Sequence, residues 1–272
     1  SNSYFTNNTA KNGGGLYWEG GVSSITNCNF LNNTAAPAGT SNGGGVYLMP
    51  AGLVSVTSST FTQNSASGNG GAAYAGGDVT FTSCTFSQNT AATDGGVVYS
   101  VGADLDFQDC TLTSNSAKIG GAAAVTALSS ITMDTSTVTQ NTATTTGGAV
   151  YATSSSVIST NTNYTSNTAG TNGGAVYLIA SSVASIISSY FSSNAATATD
   201  GGAVYATASN VSTSSCTYDS NTAGTSGGAF FVTTSGSLNM ASCTVTNNMA
   251  NNGNGGGIVV DASPTTVTGT TF

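Results

Sequence analysis

The feature that most constrains the fold is a repeat that runs through the chain without interruption. In each copy an apolar residue is followed three places later by Asn, then by a short polar stretch, a Gly-Gly pair and a strand-like tripeptide, as in Thr137–Tyr151. Successive copies of this Asn are 25–31 residues apart. A fixed period of this size predicts a solenoid in which each turn packs on its neighbours. We therefore predict one continuous repeat domain over residues 1–272.

Two columns of residues define the repeat. The recurring Asn occupies Asn8, Asn33, Asn64, Asn89, Asn115, Asn141, Asn167, Asn194, Asn221 and Asn248. The apolar residue three places earlier, which we call the core slot, is Phe5, Phe30, Phe61, Phe86, Leu112, Val138, Tyr164, Phe191, Tyr218 and Val245, with Phe272 in the same phase. Asn tolerates the left-handed backbone region, and stacked amides bond to one another, so we predict an Asn ladder at a tight bend. The core slot predicts a stacked apolar column.

Within each repeat the apolar residues alternate with a period of two, which is typical of strands. Three short segments show it: one after the glycines, one before the core slot, and the segment that carries the slot. No window has the spacing of an amphipathic helix. We predict an all-β fold, a single-stranded parallel β-helix of about ten rungs of 25–31 residues with three short strands per rung.

The recurring Gly-Gly-Ala-Val and Phe-x-x-Asn motifs resemble the repeats of the polymorphic outer membrane protein family. Clear instances are Phe86–Asn89, Phe191–Asn194, Gly147–Val150, Gly173–Val176 and Gly201–Val204. The resemblance covers the whole chain. It implies a right-handed β-helix of the pectate-lyase-like kind, displayed outside the cell, with a role in adhesion or surface structure.

The charge composition excludes several classes of partner. Charged residues make up only 4% of the chain, there is no His, and the net charge is −8. Lys11 and Lys118 are the only basic side chains. Nucleic-acid binding depends on Lys and Arg neutralising phosphates, so we expect no nucleic-acid partner. No apolar run reaches the ~18–20 residues of a membrane-spanning helix, so we expect no direct membrane span.

The five cysteines share one position, two places before the core slot: Cys28, Cys84, Cys110, Cys216 and Cys243. Ser or Thr holds this position in the other repeats. The same parity as the core slot predicts a stack of small inward side chains in which Cys acts as a small apolar residue. Cys84 with Cys110, and Cys216 with Cys243, lie on adjacent rungs, where a disulfide is possible by Cα distance but strained by in-register geometry.

The only local group of carboxylates is Asp104, Asp106 and Asp109, with Asp78 in the position equivalent to Asp104 one rung earlier. Two carboxylates could serve a glycosidase on spacing alone, but no Arg, Lys or His accompanies them. We predict a solvated face and no enzyme activity, no cofactor and no zinc. A weak calcium site near Asp78, Asp104 and Asp106 is the alternative.

Threonines flank the core slot as T-x-T, for example Thr60/Thr62, Thr111/Thr113 and Thr137/Thr139. We predict that they point outward and form two Thr ladders, because β-branched Thr suits an exposed strand. A regular Thr array is also the kind of surface that ice-binding β-solenoids present. The alternative is glycosylation of a Ser/Thr-rich rod. N-x-S/T acceptors for N-linked glycans occur at Asn7, Asn32, Asn163 and Asn210.

Three functions remain open at this point. We expect first a non-enzymatic extracellular structural protein, a glycosylated β-helix rod. Phe272 stops in the slot that Phe5 begins, so copies could stack head to tail in phase and form filaments. The alternative is a surface adhesin or glycan-binding passenger domain that binds through the loops before the glycines. Ice binding through the Thr ladders is the third. All three place the chain outside the cell or at the cell surface.

Overall fold

The computed structural model describes residues 1–36, 40–49, 52–261 and 264–272. Over these ranges the chain forms four parallel sheets of ten strands each and no helix. Every strand pairs with the equivalent strand of the rung before and after it, so each sheet takes one strand from each rung. We call the sheets A, B, C and D in the order in which a rung visits them. The predicted parallel solenoid of ten rungs is confirmed.

The bounds of the strands follow the repeat closely. Sheet A contains Tyr4–Thr6, Asn29–Leu31, Thr60–Thr62, Thr85–Ser87, Thr111–Thr113, Thr137–Thr139, Asn163–Thr165, Tyr190–Ser192, Thr217–Asp219 and Thr244–Thr246. Sheet B contains Thr9–Ala10, Thr34–Ala35, Ser65–Ala66, Thr90–Ala91, Ser116–Ala117, Thr142–Ala143, Thr168–Ala169, Ala195–Ala196, Thr222–Ala223 and Met249–Ala250. Sheet C contains Leu16–Trp18, Val46–Leu48, Ala73–Ala75, Val98–Val101, Ala123–Thr126, Val150–Thr153, Val176–Ile179, Val204–Thr207, Phe230–Thr233 and Ile258–Val260. Sheet D contains Ser23–Thr26, Val54–Thr57, Val79–Thr82, Asp104–Gln108, Ser130–Asp134, Ser156–Thr160, Val183–Ile187, Asn210–Ser214, Ser237–Ala241 and Thr265–Thr268.

Each rung has four strands, so the prediction of three strands per rung was wrong. The missed strand is the two-residue piece of sheet B, such as Thr142–Ala143. A strand of two residues is too short to show the alternation of apolar and polar residues by which strands are recognised in a sequence. The strand exists because the same pair on the next rung, Thr168–Ala169, is in register with it and completes its hydrogen bonds. Its Ala points into the core and its Thr points outward.

The rungs stack residue over residue. Phe61 pairs with Phe86, and Phe30 pairs with Phe61 although 31 residues separate them. Differences in repeat length are therefore absorbed in the loops and do not shift the strands. A shift by one residue would turn every inward side chain of a strand outward, which the buried face strongly opposes.

The core slot forms the predicted internal column from Phe30 to Val245, whereas Phe5 is half-buried and Phe272, predicted in the same column, is 68% exposed. Phe30, Phe61 and Phe86 are fully buried, and their ring centroids lie 4.7 and 4.9 Å apart in nearly parallel planes. Phe81 of sheet D meets Phe86 edge-to-face at 5.1 Å, so two aromatic columns interlock across the interior. Burial of one such side chain contributes roughly 1.5–3 kcal/mol. A single rung could not bury these rings, whereas ten stacked rungs enclose them.

The chain turns between sheets at residues in the left-handed backbone region. The residue before each ladder Asn has positive φ, for example Gln140 at 56° before Asn141. The Asn ladder therefore lies at a tight bend, as predicted, but the residue before each Asn, and not the Asn itself, adopts the left-handed conformation. The preceding residue makes the turn, which leaves the Asn side chain pointing inward, where its amide is buried.

The glycine pair makes a second kind of bend. Gly147 has φ of 66°. Gly148 is required for a different reason, because a Cβ on it would lie 2.0 Å from the carbonyl oxygen of Gly174 on the next rung. The first glycine of the pair thus supplies the turn and the second permits close approach of two rungs.

Candidate functional surfaces

From Asn33 to Asn221 the Asn ladder is a buried, hydrogen-bonded column, with Asn8 exposed and Asn248 half-buried at its ends. The Asn141 Oδ1 accepts from the backbone N–H and the Nδ2 of Asn115, each at 3.0 Å. Its Nδ2 donates to the Leu112 carbonyl at 2.9 Å and to the Asn167 Oδ1 at 3.0 Å. A side-chain amide offers two acceptor positions and two donor hydrogens, and all four are used. The same pattern links the column from Asn8 to Asn248, so these residues stabilise the scaffold and do not face a ligand.

The position two places before the core slot forms a second internal ladder. The Cys110 N–H donates to the Ser136 Oγ at 3.1 Å, and the Ser189 N–H donates to the Cys216 Sγ at 3.3 Å. Each hydroxyl or thiol also donates to the carbonyl two residues before it, as Ser136 does to Asp134 at 2.9 Å. Cys, Ser and Thr can replace one another here because each provides one donor and one acceptor at the same point.

All five cysteines are free thiols and all are buried. Donation of a hydrogen bond to the neighbouring Cys84 sulfur, together with burial, raises the pKa of the Cys110 thiol. The same two causes raise the pKa of Cys216 beside Cys243. The folded chain therefore keeps these two thiols protonated and inert at neutral pH.

The predicted carboxylate group is tied to the backbone. The Asp78 Oδ1 accepts from the Asp104 N–H at 2.9 Å, and the Asp104 Oδ1 accepts from the Ser130 N–H at 3.1 Å and its hydroxyl at 2.7 Å. Asp106 accepts from the Gln108 side chain at 2.7 Å. Among the described residues no three His, Cys, Asp or Glu side chains come together as a metal-binding group. Asp78 and Asp104 link one rung to the next.

The outward positions of sheets A and B form what we call the hydroxyl face. In the third to sixth rungs every outward position of these two sheets holds Thr or Ser, and each is exposed or partly exposed: Thr60, Thr62, Ser65, Thr85, Ser87, Thr90, Thr111, Thr113, Ser116, Thr137, Thr139 and Thr142. Hydroxyls contact across rungs, as Thr62 and Ser87 do at 3.1 Å. Asn163 and Tyr190 interrupt the first column of sheet A beyond this region, and Asp219 interrupts the second.

Sheet C carries an outward aromatic column that the sequence analysis did not identify. Tyr17, Tyr47, Tyr74 and Tyr99 stack with centroids 5.1, 4.7 and 5.6 Å apart. A second stack contains Tyr151, Tyr177, Tyr205 and Phe231 at 5.5, 5.1 and 5.5 Å. Burial raises the pKa of Tyr177 to about 12. The sequence did contain a signal for this column, because Tyr recurs two places after the Gly-Gly-Ala motif. This Tyr directly follows a buried Val, and consecutive strand residues point to opposite faces of the sheet, so the Tyr had to point outward.

Ala124 separates the two stacks. Although it points outward, it is fully buried. The Tyr99 hydroxyl reaches the Thr126 hydroxyl at 3.3 Å on the rung of Ala124, so the Tyr99 side chain leans over the gap. The ring faces of this column therefore contact other protein groups, and mainly ring edges and hydroxyls reach solvent.

A third ladder lies directly before the glycine pairs and was also missed. The Asn69 N–H donates to the Asn42 Oδ1 at 2.9 Å, and the Asp200 N–H donates to the Asn172 Oδ1 at 3.1 Å. The Ser226 N–H continues the series to the Asp200 Oδ1 at 2.9 Å. The loops before the glycines are thus fixed from rung to rung, and the sequence signal was Asn or Asp immediately before Gly-Gly.

The four predicted glycan acceptors all lie on the surface. Asn7 and Asn32 occupy the turn before the Asn ladder, Asn163 lies in sheet A and Asn210 in sheet D, and each side chain is exposed. In the part of the chain that the structure describes, no helix is long and apolar enough to cross a membrane.

Four parallel sheets built from one coil of chain per rung define the class of the protein, a parallel β-solenoid. The model of the right-handed β-helix region matches residues 1–138, which is half of the chain, and the protein belongs to this family. The Chlamydia polymorphic membrane protein repeat matches residues 135–153 and 188–207. No curated protein and no solved structure shows a significant match.

Proposed function

We propose that this protein is a non-enzymatic, surface-displayed β-helix of the adhesin type, a rigid rod that binds neutral glycans through its hydroxyl face. Two matches to the polymorphic membrane protein repeat support display at the cell surface. The observation that carries the binding proposal is the hydroxyl face itself, with Thr or Ser at twelve of twelve outward positions over four rungs. Sugars expose dense arrays of hydroxyls, which can pair with such an array directly or through water.

The electrostatics of this face favour an uncharged partner. Its twelve positions include no charged residue, and the whole chain has two basic side chains and a net charge of −8. Acidic polysaccharides would be repelled by this net charge. Attraction to a neutral glycan does not depend on ion pairs, so its strength should change little with salt.

The scaffold suits repeated weak contacts. The Asn ladder and the ladders at the other corners fix each rung on the next, so outward hydroxyls keep constant spacing along the rod. Neighbouring strands of a sheet lie about 4.8 Å apart. Many weak contacts on one rigid body can engage a polymer at once, which raises the overall affinity without any single strong site.

The test is a glycan array probed with the purified chain, compared with two matched variants. Thr111→Tyr places a bulky ring in the hydroxyl face, and Thr132→Tyr makes the same change on the outward side of sheet D. We expect binding to neutral glycans that Thr111→Tyr weakens at least tenfold and Thr132→Tyr leaves unchanged. Binding that is absent, or equally sensitive to both changes, would contradict the proposal.

Ice binding is a second candidate for the same face. The two outward columns of sheet A hold Thr at seven of eight positions over four rungs, with Ser87 as the exception, and present hydroxyl and methyl groups at regular spacing, as an ice-binding face requires. Measurable thermal hysteresis, lost in Thr111→Tyr and kept in Thr132→Tyr, would support it. A freezing point equal to the melting point would exclude it.

Glycosylation and filament formation complete the proposal of a surface rod. Asn7, Asn32, Asn163 and Asn210 are exposed and accessible to a glycan. Intact-mass measurement of native material before and after glycosidase treatment tests occupancy of these sites. Electron micrographs of the native protein test head-to-tail filaments; uniform single rods would contradict that part and leave the binding proposal intact.

A further inference from the structure

The internal ladder before the core slot contains two pairs of neighbouring cysteines. Cys84 and Cys110 precede strands that pair in register, Thr85 opposite Thr111. Cys216 and Cys243 precede strands that pair in the same way, Thr217 opposite Thr244. Each pair therefore faces the interior at the same point of two successive rungs. The four thiols are buried in one continuous hydrophobic cluster.

The two cysteines of each pair lie at the same point of adjacent, in-register strands. The Cys84 N–H donates to the Cys110 Sγ at 3.4 Å, which places that sulfur against the Cys84 backbone. Neighbouring strands are about 4.7–4.9 Å apart, and a disulfide accepts Cα separations of about 4.4–6.8 Å. The backbone spacing therefore permits a bond, which requires side-chain rotations that turn the two sulfurs toward each other and tolerance of the strain that in-register strands impose.

The fifth cysteine provides an internal comparison. Cys28 occupies the same ladder, but its neighbour on the next rung is Ser59, whose Oγ accepts from the Cys28 N–H at 3.0 Å. On the rung before, the equivalent residue is Ser3. Cys28 therefore has no adjacent thiol in its own ladder.

We propose that Cys84 forms a disulfide with Cys110, and Cys216 with Cys243, when the chain folds in an oxidising compartment, and that these bonds covalently join successive rungs. The expectation of an oxidising compartment depends on the proposed function at the cell surface. The pairing of the cysteines depends only on the geometry of the rungs. The oxidant is a small-molecule or protein disulfide. One cysteine thiolate attacks it, releases one thiol and forms a mixed disulfide. The second cysteine thiolate then attacks the protein sulfur and releases the other thiol. Two protons leave the protein, and its two electrons reduce the oxidant.

The burial of these four cysteines determines when the disulfides can form. In the folded rod each of these four cysteines is at most 2% exposed, so a disulfide reagent cannot reach them. The exchange must therefore take place while the rungs assemble. Each bond closes a loop of one rung, and in the chain-entropy description such a loop restricts the unfolded chain and stabilises the folded one.

The first test is refolding of the full chain from urea in a mixture of reduced and oxidised glutathione, followed by denaturation, alkylation and intact-mass measurement. We expect one alkylated cysteine, Cys28, and the loss of four hydrogen atoms, with peptide maps that show the two proposed links. Five alkylated cysteines, or links between other cysteines, would overturn the proposal.

The second test uses a matched variant. Cys110→Ser combined with Cys243→Ser removes both bonds but keeps the ladder, since Ser stands at the same position in Ser59, Ser136 and Ser189. We expect the urea midpoint of the oxidised protein to fall on reduction and that of the variant to be unaffected by redox state. Equal midpoints of oxidised and reduced wild type would refute the stabilising role. Because both tests use the isolated chain, their outcome is independent of the glycan array.

Discussion

Removing one amide from the middle of the Asn ladder is the sharpest test of how the rungs hold together. Asn141→Ala leaves the Asn115 N–H and one hydrogen of the Asn115 amide without partners in the interior, and it removes one donor from the Leu112 carbonyl. Each buried polar group that loses its partner costs about 1–3 kcal/mol. The two unpaired donors give about 2–6 kcal/mol, and one water in the space left by the amide would reduce this toward about 2–3 kcal/mol.

The assay is urea unfolding followed by circular dichroism, with hydrogen exchange measured rung by rung. We expect a large drop in the midpoint and faster exchange in the rungs that contain Asn115, Asn141 and Asn167. Thr142→Ala is the control, because Thr142 is exposed on the adjoining strand of the same rung and surface changes usually stay within about 0.5 kcal/mol. A loss below about 1 kcal/mol for Asn141→Ala would refute the reasoning.

Asn141→Asp separates hydrogen bonding from packing. A carboxylate at this position can accept from Asn115 but has no hydrogen for the Leu112 carbonyl or the Asn167 Oδ1. Burial and these two acceptors raise the pKa of the new carboxyl in the folded state. The destabilisation is therefore absent below the unfolded pKa of about 3.9 and grows as the pH rises above it. We expect the variant to approach the wild-type midpoint at pH 3; a difference that does not change with pH would contradict this.

Three further predictions concern the corners, the core and the tyrosines. Gly148→Ala should prevent or severely weaken folding, because its Cβ would lie 2.0 Å from the Gly174 carbonyl oxygen. Gly102→Ala should cost only about 1 kcal/mol, for the positive φ, because the atom nearest to its Cβ would be 3.8 Å away. Similar urea midpoints of the two variants would contradict this. Phe86→Ala should lower the free energy of unfolding by about 3–5 kcal/mol, since it empties a fully buried position between Phe61 and Leu112 in the column. A loss under about 1 kcal/mol would show a loosely packed interior. Burial raises the pKa of Tyr164 to about 12, so its ionisation should appear in an ultraviolet titration only near pH 12, and stability should fall as the pH rises above about 10, the unfolded pKa; normal titration of all tyrosines in the folded chain would contradict it.

The surface distinguishes this solenoid from a purely structural stack. Its inward positions are filled by interlocking Phe columns and its corners by hydrogen-bonded ladders, so the outward columns are free to vary. In the third to sixth rungs they nevertheless hold to a narrow set, with only Thr and Ser on sheets A and B and a column on sheet C that is Tyr except at Ala124. The tyrosine rings mostly contact one another, which leaves the hydroxyl face as the better candidate for recognition.

The sequence alone determined the period, the stacking of equivalent residues and the identity of the inward column, because these depend on spacing along the chain. Phe86 had to lie over Leu112 once the repeat was read, and the structure pairs them. The resemblance in the Gly-Gly-Ala motifs supplied the right-handed family. These features are local and recur ten times, so each copy reinforces the same interpretation.

Only the tertiary structure decided how many strands a rung has, which residue turns each corner and where the third ladder runs. The strand Thr142–Ala143 has no signal of its own, since its hydrogen bonds come entirely from neighbouring rungs. The left-handed turn is made by Gln140 and not by Asn141. This arrangement directs the Asn141 side chain inward, and burial of its amide is favourable only because the neighbouring rungs supply its hydrogen-bond partners. These features depend on contacts between residues one full turn apart. The geometry of the stacked rungs sets those contacts, and local patterns in the amino-acid sequence do not reveal them.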